Sequence, residues 1–186
     1  APGMNTHRTP FGARNYEYFS EDGVLAGMIG ASAVAGAMDQ GVYSYIKHFA
    51  LYEGNGKMVS VWSNEQAIRE IYLKPFEISV KKGGTNAVMV SWSFLGHRWT
   101  GENSNLLNTV LRGEWGFRGM ALTDFFRNNG HGFMNADAAL ANGVDAMLST
   151  FDGPENNVAD RSHPTSVKQM RNACKNVMYT VVGSWA

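Results

Sequence analysis

The chain has 186 residues, of which 44% are hydrophobic and 17% charged, so it can bury a large core, and intrinsic disorder is excluded. Its 16 Lys and Arg balance 16 Asp and Glu, which removes the usual electrostatic reason to expect nucleic acid or an anionic membrane surface as a partner. A single cysteine, Cys174, excludes an internal disulfide framework. The length suits one domain, or a piece of a larger one.

The first half of the chain alternates in a way that predicts strands and helices in turn. A short apolar piece, residues 1–6, is followed by a polar loop over 9–22 and a helix over 24–38. Residues 42–46 are rich in β-branched and aromatic side chains and predict a strand. A second helix is predicted over 63–82, because its start has capping-box spacing and its apolar residues repeat at helical period.

The second half repeats this pattern, after a kink expected at Pro75. The predicted elements are, in chain order, a strand at 86–92, a helix marked by Leu106, Leu107, Val110 and Leu111, a strand at 119–123, a short helix at 136–140 and a strand at 144–148. The longest uncharged apolar stretch, 24–38, is shorter than the ~20 residues that a membrane span needs. A membrane partner is therefore not expected.

The last predicted helix has the clearest periodicity in the chain. Its apolar side chains fall on one face, made of Val167, Met170, Cys174, Val177, Met178 and Val181. Because an apolar face of this kind usually packs against the core, the pattern predicts that this face is buried. It also predicts that Cys174 is a small core residue.

Strict alternation of strand and helix over about five units predicts an α/β domain with a parallel sheet. Two architectures fit this pattern: an open doubly wound sheet, and a partial (β/α) barrel of the TIM type. In both, ligands bind at the carboxyl ends of the strands. The site should therefore be found among the residues that follow the predicted strands.

Charged, polar and aromatic side chains do follow the predicted strands. In chain order they are His7, Arg8, Arg14 and Glu17, then Lys47 and His48, then Ser91, Trp92 and Ser93, then Asp124 and Phe125, and finally Ser149 and Asp152. A carboxylate, several cations and aromatic rings at one edge of a sheet suit a carbohydrate pocket, because sugar hydroxyls take charged partners and a pyranose face packs on a ring. Taken singly, Asp124 also suits a helix N-cap, Arg14 with Glu17 a surface ion pair, and Trp92 a core position.

Several of these residues lie in motifs that resemble those of glycoside hydrolase family 3. Residues 5–22, NTHRTPFGARNYEYFSED, resemble the family's R-x-P-x-x-G-R-N-x-E-x-x-S-E-D signature, and residues 47–50 resemble its K-H-F-A motif. Residues 64–77, NEQAIREIYLKPFE, resemble a helix motif of the family. Residues 111–125, which contain LRGEWGFRG and TDF, resemble its nucleophile region. The resemblance covers nearly the whole chain.

The resemblance implies a retaining β-glycosidase, most similar to the β-glucosidases, acting on a β-glucoside or a short β-linked oligosaccharide. It assigns Asp124 as the nucleophile, which is preferred over the N-cap interpretation because the motif around it is intact. It assigns Arg14, Lys47 and His48 to the hydroxyls of the sugar beside the nucleophile. A retaining enzyme also needs a second carboxyl group about 5–5.5 Å from the first, as acid and base.

The remaining expected substrate-binding residues come from the strand ends and from the resemblance. Trp92 and Phe125 take the places of the family's aromatic residues near the nucleophile. Arg8 and Ser91 complete the expected set. No metal-ligand spacing and no G-x-G-x-x-G context is present, so neither a metal nor another cofactor is expected.

The resemblance also implies a catalytic unit that is incomplete. The family's barrel has eight strands, whereas about five units are counted here, so the chain is expected to be a single partial barrel domain over residues 1–186. In the family, the acid/base Glu usually lies in a second α/β domain. We therefore expect a missing segment, a second copy of the chain, or another chain to complete the site. The alternative is a non-catalytic carbohydrate-binding or assembly module that keeps the pocket.

Overall fold

A parallel sheet with helices between its strands forms the framework in the computed structural model, which describes residues 1–54, 56, 58–126, 132–149, 158 and 161–185. The described strands are β1 Tyr45–Phe49, β2 Ser60–Val61, β3 Ala87–Val90, β4 Phe94–Leu95, β5 Arg98–Trp99, β6 Met120–Phe125 and β7 Ala146–Leu148. The described helices are α1 Gly23–Met38, α2 Glu65–Ala67, α3 Lys74–Lys81, α4 Ala136–Ala141 and α5 Pro164–Val182, with π-helical segments Ile68–Tyr72 and Asn105–Glu114 and 3-10 turns Asn15–Glu17 and Thr100–Glu102.

The main sheet has the strand order β1-β3-β6-β7, and all of its pairs are parallel. Ala87 of β3 lies opposite both Tyr45 of β1 and Met120 of β6. Gly3 forms a parallel bridge with Lys47 of β1. The predicted opening strand is therefore present among the described residues as a short paired segment beside β1.

The strand order decides between the two predicted architectures. Neighbouring strands of the sheet follow one another along the chain, whereas a doubly wound sheet reverses its order at a switch point. Right-handed crossovers that all proceed in one direction place their helices on one face, as in a (β/α) barrel. The described chain is therefore part of a TIM-type barrel, as one of the two expectations stated.

Helix α1 is positioned by a capping carboxylate and by small residues. Asp22 accepts hydrogen bonds from two first-turn amides at 2.8 Å. A Cβ atom on Gly27 would lie 2.8 Å from Ile78 of α3, and one on Gly30 would lie 2.2 Å from Met4. Glycine at these two positions thus allows α1 to pack directly against α3 and the N-terminal segment.

Two elements differ in position from their predictions. The strand predicted at 42–46 is observed at Tyr45–Phe49, three residues later, because the apolar residues at its predicted start lie outside the ladder. The helix predicted over 63–82 is divided into α2, a π-helical segment and α3. The division falls at Leu73, shortly before Pro75, whose ring is tolerated only in the first turn of a new helix.

Helix α5 turns a different face to the core than its periodicity predicts. Cys174 is exposed, and the side chains that α5 buries are Ala173 and Thr180. The Thr180 hydroxyl accepts from the Met120 amide at 2.8 Å and donates to the Asn86 carbonyl at 2.6 Å. These bonds stand beside the one that the Met120 amide donates to the Asn86 carbonyl at 3.1 Å, and they tie α5 to the starts of β3 and β6. The predicted burial of the apolar face and the core role of Cys174 are wrong.

Short strands after β1 and β3 form a second sheet with the order β2-β4-β5. Strand β4 pairs with β2 in parallel and with β5 in antiparallel orientation.

Within the described ranges, no helix has both the length and the apolar character to cross a bilayer.

The contribution of Thr180 to stability can be measured with an isosteric variant. Thr180→Val keeps the side-chain shape but removes the hydrogen bonds to Met120 and Asn86, which still pair with each other, so we expect the free energy of unfolding to fall by about 0.5–1.5 kcal/mol in urea titrations. Thr165→Val, at an exposed position of the same helix, should change it by less than about 0.5 kcal/mol. Equal losses in the two variants would show that the buried hydroxyl does not hold α5 in place.

Candidate active site

Asp124 lies at the carboxyl end of the main sheet, as the penultimate residue of β6. It is 6% exposed, and its Oδ1 accepts a hydrogen bond from the Phe125 amide at 2.8 Å. Helix α4, the next helix among the described residues, has Asn135 as its N-cap. Asp124 is therefore not the cap of α4. Its carboxylate is held by a strand in a place where low exposure strengthens electrostatic interactions.

His48 brings a neutral imidazole to this carboxylate. Its Nε2 lies 3.7 Å from Oδ2 of Asp124, which is longer than a hydrogen bond, and the residue is 1% exposed. Burial, and then the charges of Arg14 and Lys47, lower the pKa of His48 to about 2. The contact therefore joins a carboxylate to an uncharged ring and is not an ion pair at neutral pH.

The two cations predicted to bind sugar share a carboxylate, Glu17. Lys47 Nζ lies 2.8 Å from Oε2 of Glu17, and Arg14 Nε bonds to Oε1. Burial acts to raise the pKa of Glu17, but the hydrogen bonds and charges of Lys47 and Arg14 outweigh it and hold the pKa below its usual value. The sequence offered Glu17 only as a partner of Arg14 in a surface ion pair, and its position in the R-N-x-E motif was the available signal for a place in the site.

Tyr52 connects the cations to the aromatic residues of the site. Its ring lies 5.1 Å from that of His48 and 6.1 Å from that of Trp92, with the Arg14 guanidinium 5.5 Å from its centre. Trp92 Nε1 donates to the Phe125 carbonyl at 3.3 Å, which ties the end of β3 to the end of β6. Sequence reasoning missed Tyr52, because no motif residue corresponds to it.

Two further predicted substrate-binding residues make other contacts. Arg8 is exposed, and its guanidinium lies 5.8 Å from the centre of the Tyr72 ring. Ser91 is buried, and its hydroxyl donates to the Ala50 carbonyl at 2.8 Å and lies 3.1 Å from the Thr100 hydroxyl. The Ser91 contacts join the end of β3 to the end of β1 and to the 3-10 turn at Thr100. A role for Arg8 or Ser91 in binding substrate stays a prediction.

The fold and the site together define a class of protein. A buried carboxylate stands at the strand ends of a partial (β/α) barrel, with a neutral imidazole, paired cations and aromatic rings around it. Among the residues that the structure describes, no group of three His, Cys, Asp or Glu side chains is placed to hold a metal ion. The arrangement is a carboxylate-centred site at the strand ends of a barrel fold.

Comparison with known proteins gives the family. Residues 1–177 match the family model described as Glycosyl hydrolase family 3 N terminal domain. This chain belongs to glycoside hydrolase family 3.

Curated relatives of this chain include several proteins named as β-glucosidases. A Beta-glucosidase of Ruminococcus albus is 42% identical over 129 residues, which is 68% of this chain and 14% of that protein. Beta-glucosidase B of Emericella nidulans is 42% identical over 150 residues, covering 80% of this chain and 17% of that protein. The chain thus spans less than a fifth of the length of these two relatives.

Solved structures of β-glucosidases have the same fold in the matched region. That of beta-glucosidase 3B from Thermotoga neapolitana in complex with glycerol superposes with a TM-score of 0.85 at 33% identity, covering 99% of this chain and 27% of that chain. The Kluyveromyces marxianus Beta-glucosidase superposes with a TM-score of 0.87 at 29% identity, covering 98% of this chain and 22% of that chain.

The buried neutral His48 should make stability depend on pH. Its pKa is about 2 in the folded protein, whereas an unfolded histidine takes up a proton near pH 6.5. The unfolded state therefore binds more protons at His48 between these values, so the stability that His48 contributes is full above about pH 6.5 and is lost as the pH is lowered, by up to ~1.4 kcal/mol per pH unit. The pKa of buried Glu53, raised to about 7 by burial, acts in the opposite direction over the same range.

Urea unfolding between about pH 7 and pH 5 measures this slope. His48→Gln removes the contribution of the imidazole, so on lowering the pH its free energy of unfolding should fall less than that of the wild type, or rise, whatever the variant's own effect on stability. His97→Gln, at an exposed position, should keep the wild-type slope. An unchanged slope in His48→Gln would show that the ring is not held neutral by the fold.

Proposed function

We propose that this chain carries the nucleophile side of a retaining β-glucosidase site, in which Asp124 attacks the anomeric carbon of a β-glucoside or a short β-linked oligosaccharide. The observation that carries the proposal is the buried Asp124 carboxylate at the end of β6, with the His48 ring 3.7 Å away. This is the edge of the sheet at which barrel enzymes bind their ligands. Membership of family 3 and the relatives named as β-glucosidases support the substrate class.

The proposed reaction has two displacements at the same carbon. In the first, an oxygen of Asp124 bonds to C1 of glucose while the bond from C1 to the leaving oxygen breaks, and a general acid gives that oxygen a proton. In the second, water attacks C1, the same group takes a proton from the water, and the bond from C1 to Asp124 breaks. Glucose leaves with its configuration retained, and the carboxylate is restored.

Arg14, Lys47 and His48 bind the hydroxyls of this sugar in the proposal. Arg14 and Lys47 offer charged donors whose positions are set by their shared partner, Glu17. The neutral His48 ring presents Nε2 on the side of Asp124, whereas its Nδ1 is buried. Lys47 and His48 belong to β1, and Arg14 lies over the Tyr52 ring that packs on His48, so a sugar held by the three groups would lie beside Asp124.

Aromatic side chains next to the nucleophile complete the proposed pocket. Phe125 is 41% exposed and offers an apolar surface directly after Asp124. Trp92 is 8% exposed, and its indole is fixed by the hydrogen bond to the Phe125 carbonyl. In this proposal the sugar packs on the Phe125 ring, and Trp92 holds the Phe125 backbone in place through its hydrogen bond.

The general acid of the proposed reaction comes from outside the described residues, supplied by a second copy, another chain or a further segment. Within the described ranges the main sheet ends at β7 on one side, and on the other side the Gly3 segment already bridges to Tyr18, so the β7 edge is the one that can pair further. Helix α1 also exposes a patch of apolar side chains of the kind that usually marks a contact surface. They are Val24, Leu25, Met28 and Ile29, each 40–54% exposed.

Covalent trapping tests the nucleophile. A 2-fluoro β-glucoside with a good leaving group should label Asp124, because the fluorine slows release of the glycosyl intermediate, and peptide mass spectrometry locates the label. Asp124→Asn should abolish labelling and lower turnover by more than about a thousandfold, with glucose affinity largely kept. Asp39→Asn, which alters an exposed carboxylate at the end of α1, should label as the wild type does. Glucose binding without labelling would favour the non-catalytic carbohydrate-binding alternative.

The leaving-group dependence tests the origin of the general acid. A good leaving group needs little protonation, so the chain alone should turn over activated aryl glucosides slowly and cellobiose about 10²–10⁴-fold more slowly still. Burial raises the pKa of Glu102, which makes it an internal carboxyl to test. Rapid cellobiose turnover by the pure chain that Glu102→Gln abolishes would show that the acid is internal.

A further inference from the structure

The Asn5 side chain continues the pairing between the N-terminal segment and β1. Up to Met4 the pairing is made by the backbone, where the Met4 amide donates to the Lys47 carbonyl at 2.6 Å. One residue further, Asn5 Oδ1 accepts from the His48 amide at 2.8 Å and Asn5 Nδ2 donates to the His48 carbonyl at 3.2 Å. A primary amide offers the same acceptor and donor as a peptide group, so Asn5 binds both polar backbone groups of His48 at once.

Glu53 sets the direction of the Asn5 amide. Asn5 Nδ2 also donates to Oε1 of Glu53 at 3.1 Å, and the Thr6 amide approaches the same oxygen at 3.5 Å. Oε1 of Glu53 is the acceptor in both contacts, so it holds the NH2 end of the amide toward itself and toward the His48 carbonyl. The oxygen of Asn5 is thereby left for the His48 amide. If the Asn5 amide were flipped, its NH2 group would face the His48 amide, donor against donor. Its oxygen would face the His48 carbonyl, acceptor against acceptor.

We infer that Asn5 and Glu53 are positioning residues that hold His48 beside Asp124, with Glu53 acting through Asn5. The His48 imidazole is attached to the backbone that these two side chains hold. The ring is buried, and its Nε2 lies 3.7 Å from Oδ2 of Asp124. The consequence for catalysis rests on the proposed function. The geometric part of the inference, the placement of His48, does not.

The burial of Glu53 supports this inference. Glu53 is 4% exposed, and burial raises its pKa to about 7 in spite of the hydrogen bonds from Asn5 and Thr6 and the charge of Arg8. A buried carboxyl is unfavourable, and for stability alone a well-packed apolar side chain would serve as well or better.

Hydrogen exchange at the His48 backbone amide, followed by NMR in the ligand-free chain, tests the placement directly. Glu53→Leu removes the acceptor for Asn5 at similar volume and should accelerate exchange at His48 on the order of tenfold relative to the amides of Val88 and Leu122 in the adjoining strands. Glu53→Gln keeps an acceptor oxygen and should restore protection to within about threefold of the wild type. Asn5→Ala should accelerate exchange at least as much as Glu53→Leu.

A double variant tests whether Glu53 acts through Asn5. If it does, Asn5→Ala combined with Glu53→Leu should exchange no faster at His48 than Asn5→Ala alone. The rate at which the 2-fluoro glucoside labels Asp124 should follow the same order, about tenfold slower in Glu53→Leu and in Asn5→Ala and restored in Glu53→Gln. Asn172→Ala, at an exposed position of α5, is the matched control and should leave both measurements unchanged.

Three results would overturn the inference. Equal acceleration at His48, Val88 and Leu122 in Glu53→Leu would make Glu53 a general stabilising residue. Additive effects in the double variant would separate it from Asn5. Loss of turnover in Glu53→Gln with His48 protection unchanged would make Glu53 an acid. If the wild type is not labelled at all, the proposed function fails, and the exchange rates still decide the placement of His48.

Discussion

The contact between Asp124 and His48 joins strands that are not neighbours. Strand β3 lies between β1 and β6, and strands two places apart in a sheet are separated by about 10 Å of backbone. The 3.7 Å approach of the two side chains therefore requires that both point to the same, concave side of a curved sheet. A singly wound order, with the helices on the other face, leaves that side open for side chains that converge. Without this curvature of the sheet, Asp124 and His48 could not come into contact.

The depth at which each side chain of the site is buried affects the charge that it carries. The pKa of His48 is lowered to about 2 by burial and by the nearby cations, so the imidazole adds no positive charge to the site. Arg14 and Lys47 lie nearer the solvent than His48, and Glu17 accepts from both. The cations thus lie at the rim of the site, and the neutral imidazole lies at the bottom beside the Asp124 carboxylate.

The sequence predicted the alternation of elements and the residues at the strand ends, because apolar periodicity and short motifs are local signals. It could not predict contacts that join distant parts of the chain. Asn5 meets His48 and Glu53 across 43 and 48 residues, and nothing in the local pattern marks either contact. The orientation of α5 was wrong for a related reason: the Thr180 hydroxyl bonds to Met120 and Asn86, which lie 60 and 94 residues away, and the apolar stripe carries no signal of these contacts. Where hydrogen bonds between distant segments orient a helix, hydrophobic periodicity alone does not predict its buried face.

Glu17 has a further consequence in the proposed reaction. The transition state of glycoside cleavage resembles an oxocarbenium ion, so positive charge develops at C1 while Asp124 approaches it. Two uncompensated cations beside the sugar would raise the energy of that state, although they bind the hydroxyls well. Because the Glu17 carboxylate is held by both Arg14 and Lys47, it offsets much of their field at C1 and leaves their donors directed by fixed geometry. The two cations can then bind substrate as hydrogen-bond donors, while the negative charge of Asp124 dominates the field at the reacting carbon.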